Sequence, residues 1–140
     1  NGPHIVTDTN MALAGVNKKT LKALGGDAHC FIAHPDVAGQ AKARGVTRAS
    51  VAVERACTLK YDLIFAVGNA PTALIRLDEM IKRKRVAPKL IIGVPVGFVN
   101  VVEAKELIMK SGVPYIVAAG NKGGSNVAAA ICNALLYMVK

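Results

Sequence analysis

The residues best able to do chemistry lie in four short stretches, each following an apolar run: Asp8-Thr9-Asn10-Met11, Gly68-Asn69-Ala70-Pro71-Thr72, Pro95-Val96-Gly97-Phe98-Val99 and Gly120-Asn121-Lys122-Gly123-Gly124-Ser125. Helices start in two of these stretches and at Thr47-Arg48. Asn69 reads as an N-cap with Pro71 in the first turn, where a missing N–H costs nothing. Gly123-Gly124-Ser125 opens the last helix, where glycine lets backbone amides approach a ligand closely. Thr47-Arg48 adds a guanidinium to the free amides of another helix start. Such ends attract carboxylate or phosphate, although each could equally serve only to cap its helix.

The histidines offer little acid–base chemistry. His4 and His29 fall within apolar runs and read as structural residues. His34, before Pro35 at the end of an apolar run, points toward the ligand edge and is the candidate general acid of this chain. Glu103 and Glu106 open a helix; they either complement its dipole or grip the scaffold of the site.

Several function classes drop out. The Gly120–Ser125 stretch places its lysine before the paired glycines, which is not the phosphate-loop order, and no GxGxxG, GxSxG or HExxH pattern occurs. The thiols Cys30, Cys57 and Cys132 are far apart with no CxxC pair, so reduced cysteines in a cytoplasmic protein are expected and no metal site is. The net charge of +9 comes from 18 Lys+Arg against 9 Asp+Glu and calls for an acidic partner or a merely soluble surface. Nucleic acid is disfavoured: the Phe and Tyr residues form no stacking ladder, and no helix has a recognition-type basic face. Lys82-Arg83-Lys84-Arg85 reads as a solvated helix end. Gly, Pro or charge interrupts every apolar run before membrane-spanning length, and no signal peptide is expected.

The elements that must position these residues alternate regularly. Apolar runs at 4–7, 28–33, 63–67, 90–94 and 115–119 are continuous rather than alternating, as in buried parallel strands. Helical spacing marks Ala49-Ala52-Val53-Ala56-Leu59, Leu74-Leu77-Met80-Ile81, the stretch 101–110, and Val127-Ala130-Ile131-Ala134-Leu135-Met138. With 52% hydrophobic and only 4% aromatic residues, the core must be aliphatic. One α/β domain over 1–140 is expected, a parallel sheet of five strands in the order 2-1-3-4-5 with helices on both faces. Ligand then belongs at the carboxyl ends of the strands, between the loops after the first and third. The chain enters its first strand after Asn1-Gly2-Pro3, which suggests that something upstream once covered the sheet there.

The order Asp8, Met11, Gly15, then Gly45-Val46-Thr47-Arg48, Gly68-Asn69-Ala70-Pro71-Thr72-Ala73-Leu74, Gly93-Val94-Pro95-Val96-Gly97-Phe98-Val99, Glu103-Ala104-Lys105-Glu106, Val113-Pro114-Tyr115-Ile116, Lys122-Gly123-Gly124-Ser125 and Asn133-Ala134-Leu135 resembles precorrin-8X and cobalt-precorrin-8 methylmutases along essentially the whole chain. The resemblance implies a three-layer, flavodoxin-like fold and a homodimer with its active site near the subunit interface. It also implies an isomerase of cobalamin biosynthesis that moves a methyl group from C11 to C12 of the macrocycle, giving hydrogenobyrinate or cobyrinate. No cofactor is implied, and any cobalt travels with the substrate. By the same resemblance Thr47, Arg48, Asn69, Lys122, Gly124 and Ser125 contact carboxylates or the ring; Ala70, Val96 and Gly97 leave it room, with Pro71 and Thr72 in the same turn as Ala70. The family's catalytic histidine lies upstream of this chain, and His34 does not inherit its role. Asn121 stands where an Arg is usual, and Ala104 where a Ser is usual. A non-catalytic tetrapyrrole binder on the same scaffold and a generic flavin or nucleotide binder are the competing readings.

Overall fold

The computed structural model describes residues 2–139 and places all five strands in one parallel sheet of order β2-β1-β3-β4-β5. The strands are β1 (His4–Thr7), β2 (Asp27–His29), β3 (Leu63–Val67), β4 (Leu90–Gly93) and β5 (Tyr115–Val117). Seven helices surround them among the described residues: α1 (Asn10–Gly15), α2 (Lys18–Ala23), α3 (Pro35–Arg44), α4 (Arg48–Ala56), α5 (Pro71–Lys82), α6 (Val101–Met109) and α7 (Ser125–Val139). None is long and apolar enough to cross a membrane.

Both sheet faces are covered, which explains the unbroken apolar runs. Val6, Leu63, Phe65, Val67 and Ile91 join the core beneath α4, α5 and α6. Their neighbours Ile5, Ala66 and Ile92 join the opposite core, against Leu21 of α2 and Ala128, Cys132 and Leu136 of α7. A smaller cluster of Val37, Ala41, Val51 and Ala52 binds α3 to α4. Outside it, Glu54 on α4 accepts both guanidinium nitrogens of Arg44 at 2.7 and 2.9 Å and the Nε of Arg76 at 2.8 Å, linking α3, α4 and α5.

The apolar run at 28–33 is not one strand. Pairing with β1 ends at Val6↔His29, because the partner strand itself stops at Thr7. Phe31 and Ile32 leave the sheet edge and bury themselves against the clusters under α3 and α4. His34 therefore caps α3 rather than ending β2. The helices α1, α2 and α3 were not marked by apolar spacing. Each buries one or two residues, Ala12 in α1, Leu21 in α2, Val37 and Ala41 in α3, too few to mark a period.

At the amino ends of the strands, an apolar hollow of about 370 Å³ opens between α2 and the last turns of α7, lined by Pro3, Ile5, Ile64, Leu90, Leu135 and Met138 among others. Cys57 and Cys132 are free thiols that burial pushes up to about 12 and about 11, so neither is a nucleophile at neutral pH.

At the β1/β2 edge, His4 Nδ1 and His29 Nε2 lie 2.8 Å apart, so one ring must donate and the other accept. His4 also stacks on Tyr61 with centroids 3.7 Å apart. Burial, and then the charge of His4, hold His29 below its ordinary value of 6.5, with Asp27 opposing them. The unfolded chain thus binds more protons than the folded one just below that value, and stability falls as pH drops through it. The urea midpoint should decrease as the pH falls from about 7.5 to about 5.5, and His29→Gln should flatten that decrease.

Candidate functional site

The carboxyl ends of β1 and β3 meet where the chain departs to opposite faces of the sheet, β1 leading to α1 and β3 to α5. Asp8 sits there, only 7% exposed, at the end of an apolar strand. Its Oδ1 accepts the Gly68 N–H at 2.9 Å, and its Oδ2 accepts the N–H groups of Asn69 and Ala70 at 2.9 and 2.7 Å. Burial pushes the carboxyl above its ordinary value, while these amide donors pull it back. The amino end of α5 therefore already holds an anion, and it belongs to the protein.

This corrects the sequence reading of Asn69. The N-cap of α5 is Ala70, with no side-chain cap, while Pro71 does occupy the first turn. The Asn69 amide is committed to Asp8, and its exposed side chain is what remains for a ligand. At the start of α4 the expectation holds: Thr47 is the N-cap, its Oγ1 accepting from the Ser50 N–H at 3.1 Å. The same oxygen lies 3.0 Å from Thr72 Oγ1, which ties the amino ends of α4 and α5 together. Thr9 caps α1 through the Ala12 N–H at 3.1 Å and meets Ser125 Oγ at 2.8 Å, joining α1 to α7.

These ends enclose an open hollow of about 470 Å³. Thr47, Arg48, Asn69, Ala70, Pro71 and Thr72 all line it, together with Asp8, Thr9, Asn10 and Ile32. Arg48 is exposed at its rim, the kind of planar donor that takes a carboxylate in two-pronged fashion. Ser125 reaches this group through Thr9. Val96, Gly97, Lys122 and Gly124 do not line the hollow; they form a second group over β4 and β5. His34 is exposed, edge-on to Phe31 with ring centroids 5.2 Å apart, and is not among the lining residues either.

The second group is held by backbone. Gly124 N–H donates to the Val94 carbonyl at 2.8 Å, and Gly97 N–H to the Asn121 carbonyl at 3.1 Å. A side chain at Gly123 would collide with the Val94 carbonyl oxygen, and one at Gly68 would lie 2.6 Å from the Gly124 carbonyl oxygen. Close approach of these loops, rather than ligand access alone, accounts for the glycines. Glu103 and Glu106 are exposed on α6 and grip nothing in this loop. Their neighbour Lys105 does, donating to the carbonyls of Ala118, Gly120 and Lys122 at 2.6, 2.7 and 2.9 Å.

Asp8 and Lys105 are the structural determinants that motif reading left without a role, and both carried a signal. Asp8 is a charge directly after the buried residues Ile5, Val6 and Thr7. Lys105 falls on the stripe Val101, Ala104, Lys105, Ile108, all buried, so helical spacing alone turns it inward. Asp8→Asn should replace one acceptor oxygen with an N–H₂ group that confronts backbone donors. A loss of about 3 kcal/mol in urea unfolding is expected, since a buried polar cluster is left unmatched.

Comparison with known proteins follows the same outline. The family model for precorrin-8X methylmutase matches residues 1–138. The cobalt-precorrin-8 methylmutase of Salmonella typhimurium is 47% identical over 137 residues, covering 97% of this chain and 63% of that protein. The cobalt-precorrin-8 methylmutase of Leptospira interrogans is 42% identical, covering 98% and 66%. A crystal structure of the precorrin-8x methyl mutase from Thermus thermophilus superposes with a TM-score of 0.86 at 39% identity, over 98% of this chain and 67% of that one. The chain thus spans a little under two-thirds of the length of these curated relatives. With the family model matching almost the whole of it and relatives 42 to 47% identical along nearly its full length, the chain belongs to the precorrin-8X methylmutase family.

Proposed function

We propose that the protein carrying this chain is an isomerase of cobalamin biosynthesis. It moves a methyl group from C11 to C12 of a precorrin-8-type macrocycle and gives hydrogenobyrinate or cobyrinate. The observation that supports this reading best is the hollow at the carboxyl ends of β1 and β3, where Thr47, Arg48, Asn69 and Thr72 face one space. Such a macrocycle is a flat apolar ring rimmed by acetate and propionate arms. Arg48 and the hydroxyls suit the arms, while Ala70, Pro71 and Ile32 suit the ring.

The rearrangement is internal to the substrate, a formal sigmatropic shift. It needs a proton delivered near the ring and a cavity shaped for the product-like geometry, not a nucleophile. Within this chain the residues bind and orient; the resemblance assigns the proton donor to a histidine upstream of β1. Cobalt, where present, belongs to the substrate. The resemblance implies a homodimer, and exposed Phe98 (83%) and Val99 (78%) beside the strand ends are the apolar surface that a second subunit would cover. A cytoplasmic location agrees with the free thiols.

The test is incubation of the full-length protein with precorrin-8X, followed by absorption spectroscopy. Conversion to the hydrogenobyrinate spectrum is expected. Tight binding without conversion would leave the carrier reading in its place. In the active protein, Arg48→Ala should raise KM by about tenfold or more with a smaller effect on kcat, because it removes a charge-assisted contact to a non-reacting arm.

A further inference from the structure

Lys105 is 2% exposed in the middle of α6, and its ammonium donates to the Ala118, Gly120 and Lys122 carbonyls. An ammonium has three N–H bonds to give, so its donor capacity is filled. Its charge, by contrast, is not cancelled. Among the described residues no carboxylate pairs with Lys105, whereas Lys82 on α5 pairs with Asp78 at 2.7 Å and Arg44 and Arg76 share Glu54. The acidic residues of the same helix, Glu103 and Glu106, lie on its exposed side. Carbonyl dipoles stabilise the buried ammonium, which burial pushes below the ordinary lysine value, but they bring no counter-charge to it beneath the β5–α7 loop. Burying such a charge costs several kcal/mol before its partners compensate.

The loop above it leads directly to the site. Gly120 carries φ of 73°, Gly123 157° and Gly124 134°, a path only glycine follows easily. Gly124 then abuts Gly68, whose amide is held by Asp8, and Ser125 meets Thr9 at the wall of the hollow. Drawing three carbonyl oxygens inward onto Lys105 also removes their negative ends from the surface an acidic ligand would meet.

Resting on the functional reading above, we propose that Lys105 is a positioning and specificity residue for the polycarboxylate ligand. It fixes the Gly120–Ser125 loop over β4 and β5, next to the hollow that Ser125 reaches through Thr9, and supplies an unneutralised positive charge under that loop, which favours a ligand with several acidic arms. The residue touches no substrate; it acts through Lys122, Gly124 and Ser125.

The test compares Lys105→Met, which keeps the stem and removes both charge and donors, with the unaltered full-length protein and with Glu54→Gln. That control breaks the ion network on α4, away from this loop. Hydrogenobyrinate binding is titrated at low and high salt, at a temperature where all three proteins are folded, and amide exchange is followed at 118–124. Lys105→Met should weaken binding by about tenfold or more at low salt, less at high salt, and should speed exchange in the loop. Glu54→Gln should change neither. Unchanged affinity in Lys105→Met overturns the proposal, as does an equal loss in Glu54→Gln, which would reduce the effect to general stability. If the unaltered protein does not bind hydrogenobyrinate, the functional reading fails first and the role assigned to Lys105 fails with it.

Discussion

A single carboxylate holds the ligand edge of this molecule together. Asp8 ends the first strand, and the turn between the third strand and α5 folds onto it through the Gly68, Asn69 and Ala70 amides. Parallel neighbours have no hairpin to register them, so their ends must be tied by other means. Here the tie is a buried carboxyl whose desolvation is partly countered by amide donors at a helix start. Asp8 also lines the hollow beside it, between the two chain departures that this contact joins.

That arrangement limits what the site can use for binding. Helix amino ends are good anion sites in general, yet the one at α5 is satisfied from within. On the proposed reading, an acidic ligand is left to side chains at the rim, Arg48 first, and to the amino ends of α4, tied to α5 through Thr47 and Thr72, and of α7, tied to α1 through Ser125 and Thr9. The excess of basic residues gives long-range attraction, and the few buried polar contacts give geometry. These are separate contributions, since most of the basic residues are on the surface and screened by salt.

The glycines fit the same picture. Gly68 and Gly123 stand where two backbones pass with no room for a Cβ, and Lys105 supplies donors for the carbonyls of Ala118, Gly120 and Lys122 in the same loop region. The loop after β5 is therefore specified twice, by close approach from one side and by an ammonium from the other. Residues next to it, such as Val96 and Phe98, are exposed and free to answer to a partner or ligand instead.

The sequence by itself determined the class of fold, the strand order and the helices α4 to α7, because strands buried on both faces are continuously apolar and long amphipathic helices keep their period. It also marked Thr47, Arg48 and the Gly68–Thr72 turn, since cap and turn chemistry is local. Only the tertiary structure decided where β2 stops, because that depends on how far β1 runs beside it and on the helix layer that takes in Phe31 and Ile32. Only it split the expected contact residues into one group around Arg48 and another around Gly124, and separated His34 from both. The partners of Asp8 and Lys105 were likewise out of reach of local pattern, for they lie 60 to 62 and 13 to 17 residues away along the chain. A buried charge shows itself in sequence as a break in apolar spacing, but which amide or carbonyl groups will surround it is settled when distant segments pack.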